Sequence, residues 1–137
     1  MESPQKQEMS DAVTASSSTH LNALLEKIEK RSARMGIIGQ GYVGLPLAMV
    51  VAETGFDVTG FDVDVDKVER LNAGESYIDD VSHDEVKAQL NAGRFRARDR
   101  FDDVADMDVI SICVPTPLGK TRDPDISYIV AAAKEVV

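Results

Sequence analysis

Apolar and polar positions alternate along the chain in a way that predicts short strands followed by helices. The apolar run at residues 35–38 is too short for a helix and suits a buried strand, whereas residues 45–54 predict a helix that ends at Gly55. Residues 56–61 then predict a second strand. Strand, turn, helix and strand in this order are typical of a βαβ unit, in which the two strands run parallel.

The rest of the chain continues this alternation and includes one strand that is nearly all apolar. Residues 108–114 have the composition expected of a central parallel strand covered on both faces. The other predicted elements are a helix capped by Asp64, a helix that begins with the capping box Ser82–Glu85, a short strand at 95–97 and a last helix that begins after Asp125. We therefore predict an α/β fold, a partial Rossmann fold in which a doubly wound parallel sheet has about four strands in the order 3-2-1-4.

The N-terminal residues depart from this alternation. Residues 1–18 are polar, end in three serines and predict a disordered leader. Residues 19–33 predict an amphipathic helix, because apolar residues from Leu21 to Ile28 recur at helical spacing. We treat this helix as an addition to the predicted α/β domain, residues 34–137, and its apolar face can pack on that domain or meet a partner.

The turn between the first strand and the first helix of the α/β domain has the sequence GQGYVG, residues 39–44, which fits the pattern GxGxxG. In such a turn, Gly39 leaves the strand sharply, Gly41 lets the backbone approach a pyrophosphate, and Gly44 lets the helix pack close to the strand. The free N–H groups at the start of the helix then face the anion. The pattern alone is weak, but between a strand and a helix it favours dinucleotide binding.

An acidic residue follows the second strand, about 20 residues after the glycines, where dinucleotide-binding folds place the group that contacts the ribose. This residue is Asp62, whose carboxylate can accept both ribose hydroxyls of the adenosine half. A 2′-phosphate would be repelled there, so the sequence favours NAD over NADP. Lys67 can reach the ribose or its phosphate from the next helix, although its position also fits a solvated helix lysine.

The loop that follows the apolar strand at 108–114 is a second candidate part of the site. Ligands of open α/β sheets bind at the carboxyl ends of the strands, and this strand leads directly into the sequence PTP, residues 115–117. The two prolines stiffen the turn, and Thr116 offers a hydroxyl at the cofactor groove.

Composition and charge exclude several classes of partner. The chain has 137 residues, enough for one domain, and a net charge of −9, which disfavours nucleic acid and anionic membranes. Its longest apolar run is far below the roughly 18 residues of a membrane helix. Cys113 is the only cysteine, lies within the apolar strand and is expected to be structural. We therefore expect a cytoplasmic protein with no metal site, no nucleic-acid partner and no membrane partner.

Three segments together resemble the N-terminal, NAD-binding domain of the UDP-glucose/GDP-mannose dehydrogenase family. They are IGQGYVGLPLA at 38–48, FDVDVDKVERLNAGES at 61–76 and VPTPLGKTRDPDISYI at 114–129. The resemblance covers about residues 21–137. The segments KRSAR, GESYI and PTPL are most similar to the branch of the family that oxidises UDP-N-acetylglucosamine.

The resemblance implies NAD as the cofactor and extends the set of candidate binding residues. The residues at the family's cofactor positions are Gly39, Gly41, Tyr42, Val43 and Gly44 at the pyrophosphate, Asp62 at the adenosine ribose, Lys67 beside the cofactor, and Val114, Thr116 and Pro117 along the NAD cleft. For Lys67, the resemblance favours the cofactor contact over the solvated position.

The resemblance also implies a reaction that this chain cannot complete alone. The family oxidises the C6 alcohol of a nucleotide sugar to a carboxylate with two NAD per turnover, and its catalytic cysteine lies in a substrate domain that is absent here. Cys113 does not match that cysteine, so we assign no catalytic residue to the truncated Rossmann domain and expect it to be inert. A nucleotide-sugar substrate and homo-oligomers are expected only for the full-length enzyme.

Two alternatives stay open at this point. One is a non-catalytic, stand-alone NAD-binding or interaction module, which a natural end of the reading frame after Val137 would favour. The other is a β-hydroxyacid-type dehydrogenase with the same first half, against which the sequence PTP at 115–117 argues.

Overall fold

The computed structural model describes the backbone of residues 4–137 and the side chains of residues 17–137. The described residues form two compact units, 4–33 and Arg34–Val137. The first unit consists mainly of a helix, α1, from Pro4 to Glu29. This helix begins before the predicted start at residue 19, so the predicted leader is helical over its described backbone, and residues 1–3 lie outside the described residues. The physical reason is that no glycine or proline follows Pro4 in this segment, and proline is favoured at the first helical position.

The second unit contains a sheet of four parallel strands in the order β3-β2-β1-β4, which confirms the predicted fold class. The strands are β1 (Arg34–Ile38), β2 (Asp57–Phe61), β3 (Phe95–Arg98) and β4 (Val109–Ile112). In register, Ile38 of β1 lies beside Phe61 of β2 on one side and Ile112 of β4 on the other. The carboxyl ends of these three strands therefore meet at one edge of the sheet.

Helices cover both faces of this sheet. They are α2 (Gly44–Glu53), α3 (Val65–Asn72), α4 (His83–Asn91) and α5 (Ser127–Val136), with a 3₁₀ turn at Asp102–Asp106 between β3 and β4. Ile37 packs in one core cluster with residues of α2, α3 and α4, whereas its neighbour Ile38 packs in a second cluster with Ala132 of α5. Successive strand residues thus point to opposite cores, as in a doubly wound fold. In the described part of the chain, no helix has an apolar stretch long enough to cross a bilayer.

The outer edge of β3 is partly covered by a side chain. The Asn72 Nδ2 group donates to the Ala97 carbonyl at 3.0 Å, and the Ala97 N–H donates to Asn72 Oδ1 at 2.9 Å. Strand β3 bonds to β2 through alternate residues. One of these bonds runs from the Asp62 N–H to the Arg98 carbonyl at 3.0 Å, so the main-chain groups of the adjacent Ala97 face away from β2. The side chain of Asn72 therefore satisfies both main-chain groups of Ala97 that face away from β2.

Candidate dinucleotide-binding site

A groove of about 950 Å³ lies at the carboxyl edge of the sheet, between the loops that follow β1, β2 and β4 and the helix α5. All but one of the predicted cofactor residues line it. The lining members of that set are Gly39, Gly41, Tyr42, Val43, Asp62, Lys67, Val114, Thr116 and Pro117. The exception is Gly44, which is buried at the start of α2. Sequence positions far apart are thus brought to one site.

Two glycines permit the close approach of β1, α2 and β4. Gly39 has a φ of +95°, and a Cβ there would lie 2.4 Å from the Cys113 carbonyl oxygen. A Cβ on Gly44 would lie 1.7 Å from the Gly39 carbonyl oxygen. Both neighbours are backbone atoms that cannot move aside, so a larger residue at either position would force the turn, the helix or β4 to shift.

The start of α2 is open towards the groove. Its first turn has no side-chain cap among the described residues, because the capping position is occupied by Val43, whose side chain has no hydrogen-bond acceptor. The Gly41 backbone also faces free space, since no described atom lies within 4 Å of the position a Cβ would take. A helix start leaves its first N–H groups without intrahelical partners, and these groups with the positive end of the helix dipole suit an anion such as a pyrophosphate.

Asp62 is held at the junction between the loops after β1 and β2. Its Oδ2 accepts the Gln40 N–H at 2.9 Å, and its Oδ1 accepts the Asp64 N–H at 2.9 Å. An ionised carboxylate has about four acceptor sites, so two backbone bonds leave capacity for further donors such as ribose hydroxyls. The carboxylate is therefore fixed in orientation while one side of it faces the groove.

Lys67 lies in the first turn of α3 and extends along the groove wall. Its Nζ is 5.5 Å from the centroid of the Tyr77 ring, and the Arg70 guanidinium lies 5.4 Å from the same centroid. A cation over an aromatic face is attracted by the negative face of the ring. This contact holds the Lys67 ammonium near Tyr77, and Lys67 and Asp62 both line the groove.

The loop after β4 forms the opposite wall and is shaped by backbone bonds. The Asp125 N–H donates to the Pro117 carbonyl at 2.7 Å, and Asp125 in turn accepts the Ser127 N–H at 2.9 Å. The bonds from Ser127 lower the pKa of the Asp125 carboxyl. Cys113 is half-buried and lines the groove, so its predicted place in a fully covered strand is wrong, because β4 ends at Ile112 and forms the edge of the described sheet.

Two residues behind the groove were missed by sequence reasoning. Gln40, between the first two glycines, is fully buried, and the Tyr77 hydroxyl donates to its carbonyl. Burial, followed by the carboxylates of Asp62 and Asp64, raises the pKa of Tyr77 above its ordinary value, so its hydroxyl keeps its proton. No sequence signal marks this contact, because Gln40 occupies the unspecified position of GxG and Tyr77 lies in an irregular loop.

Comparison with known proteins gives a family match over most of the chain. The model of the NAD binding domain of the UDP-glucose/GDP-mannose dehydrogenase family matches residues 33–137. The chain is 36% identical over 104 residues to the UDP-N-acetyl-D-mannosamine dehydrogenase of Pyrococcus horikoshii, covering 75% of this chain and 25% of the relative. It is 34% identical over 99 residues to a UDP-glucose 6-dehydrogenase of Haloferax volcanii, covering 72% and 23%.

Solved structures give the same result for the fold. A ternary complex of GDP-mannose dehydrogenase from Pseudomonas aeruginosa superposes with a TM-score of 0.71 at 34% identity, covering 75% of this chain and 24% of that protein. The UDP-D-ManNAc dehydrogenase of Pyrococcus horikoshii also gives a TM-score of 0.71, at 35% identity, with 75% and 25% covered. The chain thus spans about a quarter of the length of the relatives that it matches.

Proposed function

Because the chain belongs to the UDP-glucose/GDP-mannose dehydrogenase family and matches its NAD-binding domain, we propose that the groove at the carboxyl edge of the sheet binds NAD for the oxidation of a nucleotide sugar. Gly41, Tyr42 and Val43 hold the pyrophosphate at the start of α2. Asp62 accepts the hydroxyls of the adenosine ribose, and Lys67 lies beside them. Gly39 and Gly44 shape the turn, and the loop with Val114, Thr116 and Pro117 lies along the rest of the cofactor.

One structural observation carries this proposal, the open start of α2 next to a fixed carboxylate. The first turn of α2 has no side-chain cap in the described chain, and Asp62 is oriented by two backbone N–H groups. An anion-binding helix end beside a ribose acceptor is what an adenine dinucleotide requires. Bound NAD would supply the hydride acceptor, while this chain's own residues bind and orient it.

The substrate belongs to the nucleotide sugars, and we propose UDP-N-acetylglucosamine or a related UDP-sugar, oxidised at C6 from alcohol to carboxylate. The relatives compared above are named for UDP- and GDP-sugars, which supports the class. The choice of sugar rests on the segments GESYI and PTPL. Cys113 lies on the cofactor groove rather than in a sugar site, so we propose that the 137-residue chain binds NAD but does not turn over.

Calorimetric titration of the chain with NAD and with NADP tests this proposal. We expect saturable binding of NAD and weaker binding of NADP, because Asp62 repels a 2′-phosphate. In Asp62→Asn, NAD should bind about 10- to 150-fold more weakly, since hydrogen bonds to a charged group contribute about 1.5–3 kcal/mol. The preference for NAD over NADP should also shrink.

A matched control and an activity assay complete the test. Asp57→Asn removes a carboxylate at the opposite end of β2, where Asp57 pairs with Arg96 at 2.9 Å, and should leave NAD affinity unchanged. A folded chain that binds no NAD would contradict the proposed function. Formation of NADH from UDP-N-acetylglucosamine by the chain alone would contradict its proposed inactivity.

A further inference from the structure

We propose that Gln40 and Tyr77 are positioning residues of the dinucleotide site, which together fix the direction of the Gly41 N–H towards the pyrophosphate. This inference rests on the proposed function, because it assigns a role to residues that lie behind the same groove. Neither residue is among the predicted cofactor contacts, and neither lines the groove. Their role follows from the bonds that hold the backbone N–H, the carbonyl and the Nε2 group of Gln40, whereas its buried Oε1 has no hydrogen-bond partner among the described residues.

Gln40 is held on several sides at once. Its N–H donates to Asp62 at 2.9 Å, and its carbonyl accepts the Tyr77 hydroxyl. Its Nε2 donates to the Ile37 carbonyl at 2.9 Å and to the Gly39 carbonyl at 3.3 Å. The side chain is fully buried, so no water is available to replace these partners. These bonds hold both backbone polar groups and the Nε2 group of the residue between the first two glycines.

The space for the Gln40 amide is provided by Gly60 of β2. A Cβ at Gly60 would lie 2.5 Å from Gln40 Cδ and 2.6 Å from its Oε1. The amide thus lies flat against the neighbouring strand, over a position that has no side chain. Three separate segments, the glycine turn, β2 and the loop that carries Tyr77, determine where Gln40 sits.

Tyr77 is itself held firmly enough to act as a fixed point. Its ring is in contact with the cations of both Lys67 and Arg70, and it is half-buried. The preceding residue, Ser76, is buried and donates its N–H to His83 Nδ1 at 2.9 Å, which ties the loop to the start of α4. The hydroxyl keeps its proton, as described above, and so remains a donor.

The link from Tyr77 to the cofactor runs through one peptide plane. The Gln40 carbonyl and the Gly41 N–H belong to the same planar, trans peptide unit, so they point in opposite directions. Holding the carbonyl towards Tyr77 therefore aims the Gly41 N–H away from Tyr77. Gly41 lines the groove, and apart from its chain neighbours no described atom lies within 4 Å of a Cβ built there, so a ligand has room to approach its backbone. Without the Tyr77 hydroxyl, the remaining bonds of Gln40 hold its N–H and side chain but not its carbonyl, and the plane can tilt because glycine at position 41 opposes rotation only weakly.

The test is Tyr77→Phe, which keeps the ring and its cation contacts but removes the hydroxyl. The dissociation constants of NAD and of ADP, which share the diphosphate, should both rise by about three- to tenfold when measured well below the unfolding temperature. The order parameter of the Gly41 amide from ¹⁵N relaxation should fall, which a purely stabilising role elsewhere would not produce. The matched control is Thr54→Val, which removes a hydroxyl bond of 2.7 Å to the Val51 carbonyl at the far end of α2 and should change none of these values.

A second variant perturbs Gln40 through its side-chain amide instead of through its carbonyl. Gly60→Ala forces the Gln40 amide out of its place, so it should also weaken NAD binding. In the double variant with Tyr77→Phe, the fold-loss of NAD affinity should be smaller than the product of the two single fold-losses, because both changes act on the same residue. If wild type and Tyr77→Phe bind NAD and ADP equally, the inference is overturned while the proposed function stands. If wild type binds no NAD, both are overturned.

Discussion

The two strand-to-helix junctions of the site are built in opposite ways. Between β2 and α3, Asp64 accepts the N–H groups of Asp66 at 3.1 Å and Lys67 at 3.4 Å, so the helix start is closed by the chain's own carboxylate. Between β1 and α2, glycines replace such side chains, and the helix start has no side-chain cap in the described part of the chain. The helix start at the first junction is thus capped by the chain itself, whereas the helix start at the second has its donors available for a ligand.

The largest effect should come from closing the space at the second junction. Gly44→Ala places a Cβ against the Gly39 carbonyl and should lower the free energy of unfolding by about 3 kcal/mol, measured by denaturant unfolding. Gly41→Ala is the matched control for stability, because the position is open. It should leave unfolding nearly unchanged but weaken NAD, since the methyl group occupies ligand space.

Equal loss of stability in Gly41→Ala and Gly44→Ala would contradict this division of roles. It would mean that the two glycines serve the fold alike, and that the open side of Gly41 is not a ligand position.

The next effect should come from adding a carboxylate to the open junction. In Val43→Asp, a negative charge at the start of α2 should weaken NAD roughly tenfold by repelling the pyrophosphate, while interaction with the helix dipole should stabilise the fold by about 0.3–1 kcal/mol. Calorimetry and thermal unfolding measure the two changes. Val50→Asp is the control, since Val50 is 58% exposed and Val43 56%, and it should leave NAD binding unchanged.

If Val43→Asp lost stability along with NAD affinity, the result would count against the comparison of the two junctions. If Val43→Asp binds NAD as tightly as Val50→Asp does, the start of α2 does not hold the anion.

The smallest effect should come from opening the closed junction. Asp64→Ala removes the cap of α3 and should lower the free energy of unfolding by about 1 kcal/mol, with no loss of NAD affinity. Ser82→Ala, which breaks the capping box of α4, gives the reference value for a cap away from the groove. Asp64→Ala would argue against a purely capping role if it weakened NAD as strongly as Asp62→Asn.

Local patterns were enough to predict most of the fold. The glycine turn, the capping residues and the apolar strands each depend on neighbours in sequence, and they gave the sheet order that the structure confirms. The start of α1 was predicted too late, because a polar segment with no glycine or proline after Pro4 can be helical as well as disordered. Strand β4 is shorter than predicted, since its apolar run continues into the loop that lines the groove.

The parts that could not be predicted depend on contacts across the fold. Tyr77 reaches Gln40 from another loop, and Gly60 makes room for its amide from a neighbouring strand. Neither contact leaves a periodic or spaced pattern in the sequence. The predicted cofactor residues, in contrast, follow strand ends, so the topology alone brings most of them into one groove.

The two hydrogen bonds between the Asn72 side chain and the Ala97 main chain have a consequence for association between chains. An unpaired strand edge is a template on which a strand of another molecule can add, and this is a common route to aggregation. Both outward main-chain groups of Ala97 are already bonded to one side chain, so a foreign strand would have to displace the amide before it could pair there. A single asparagine thus occupies the outward main-chain groups at the centre of the short edge strand β3, where a strand of another chain would otherwise pair.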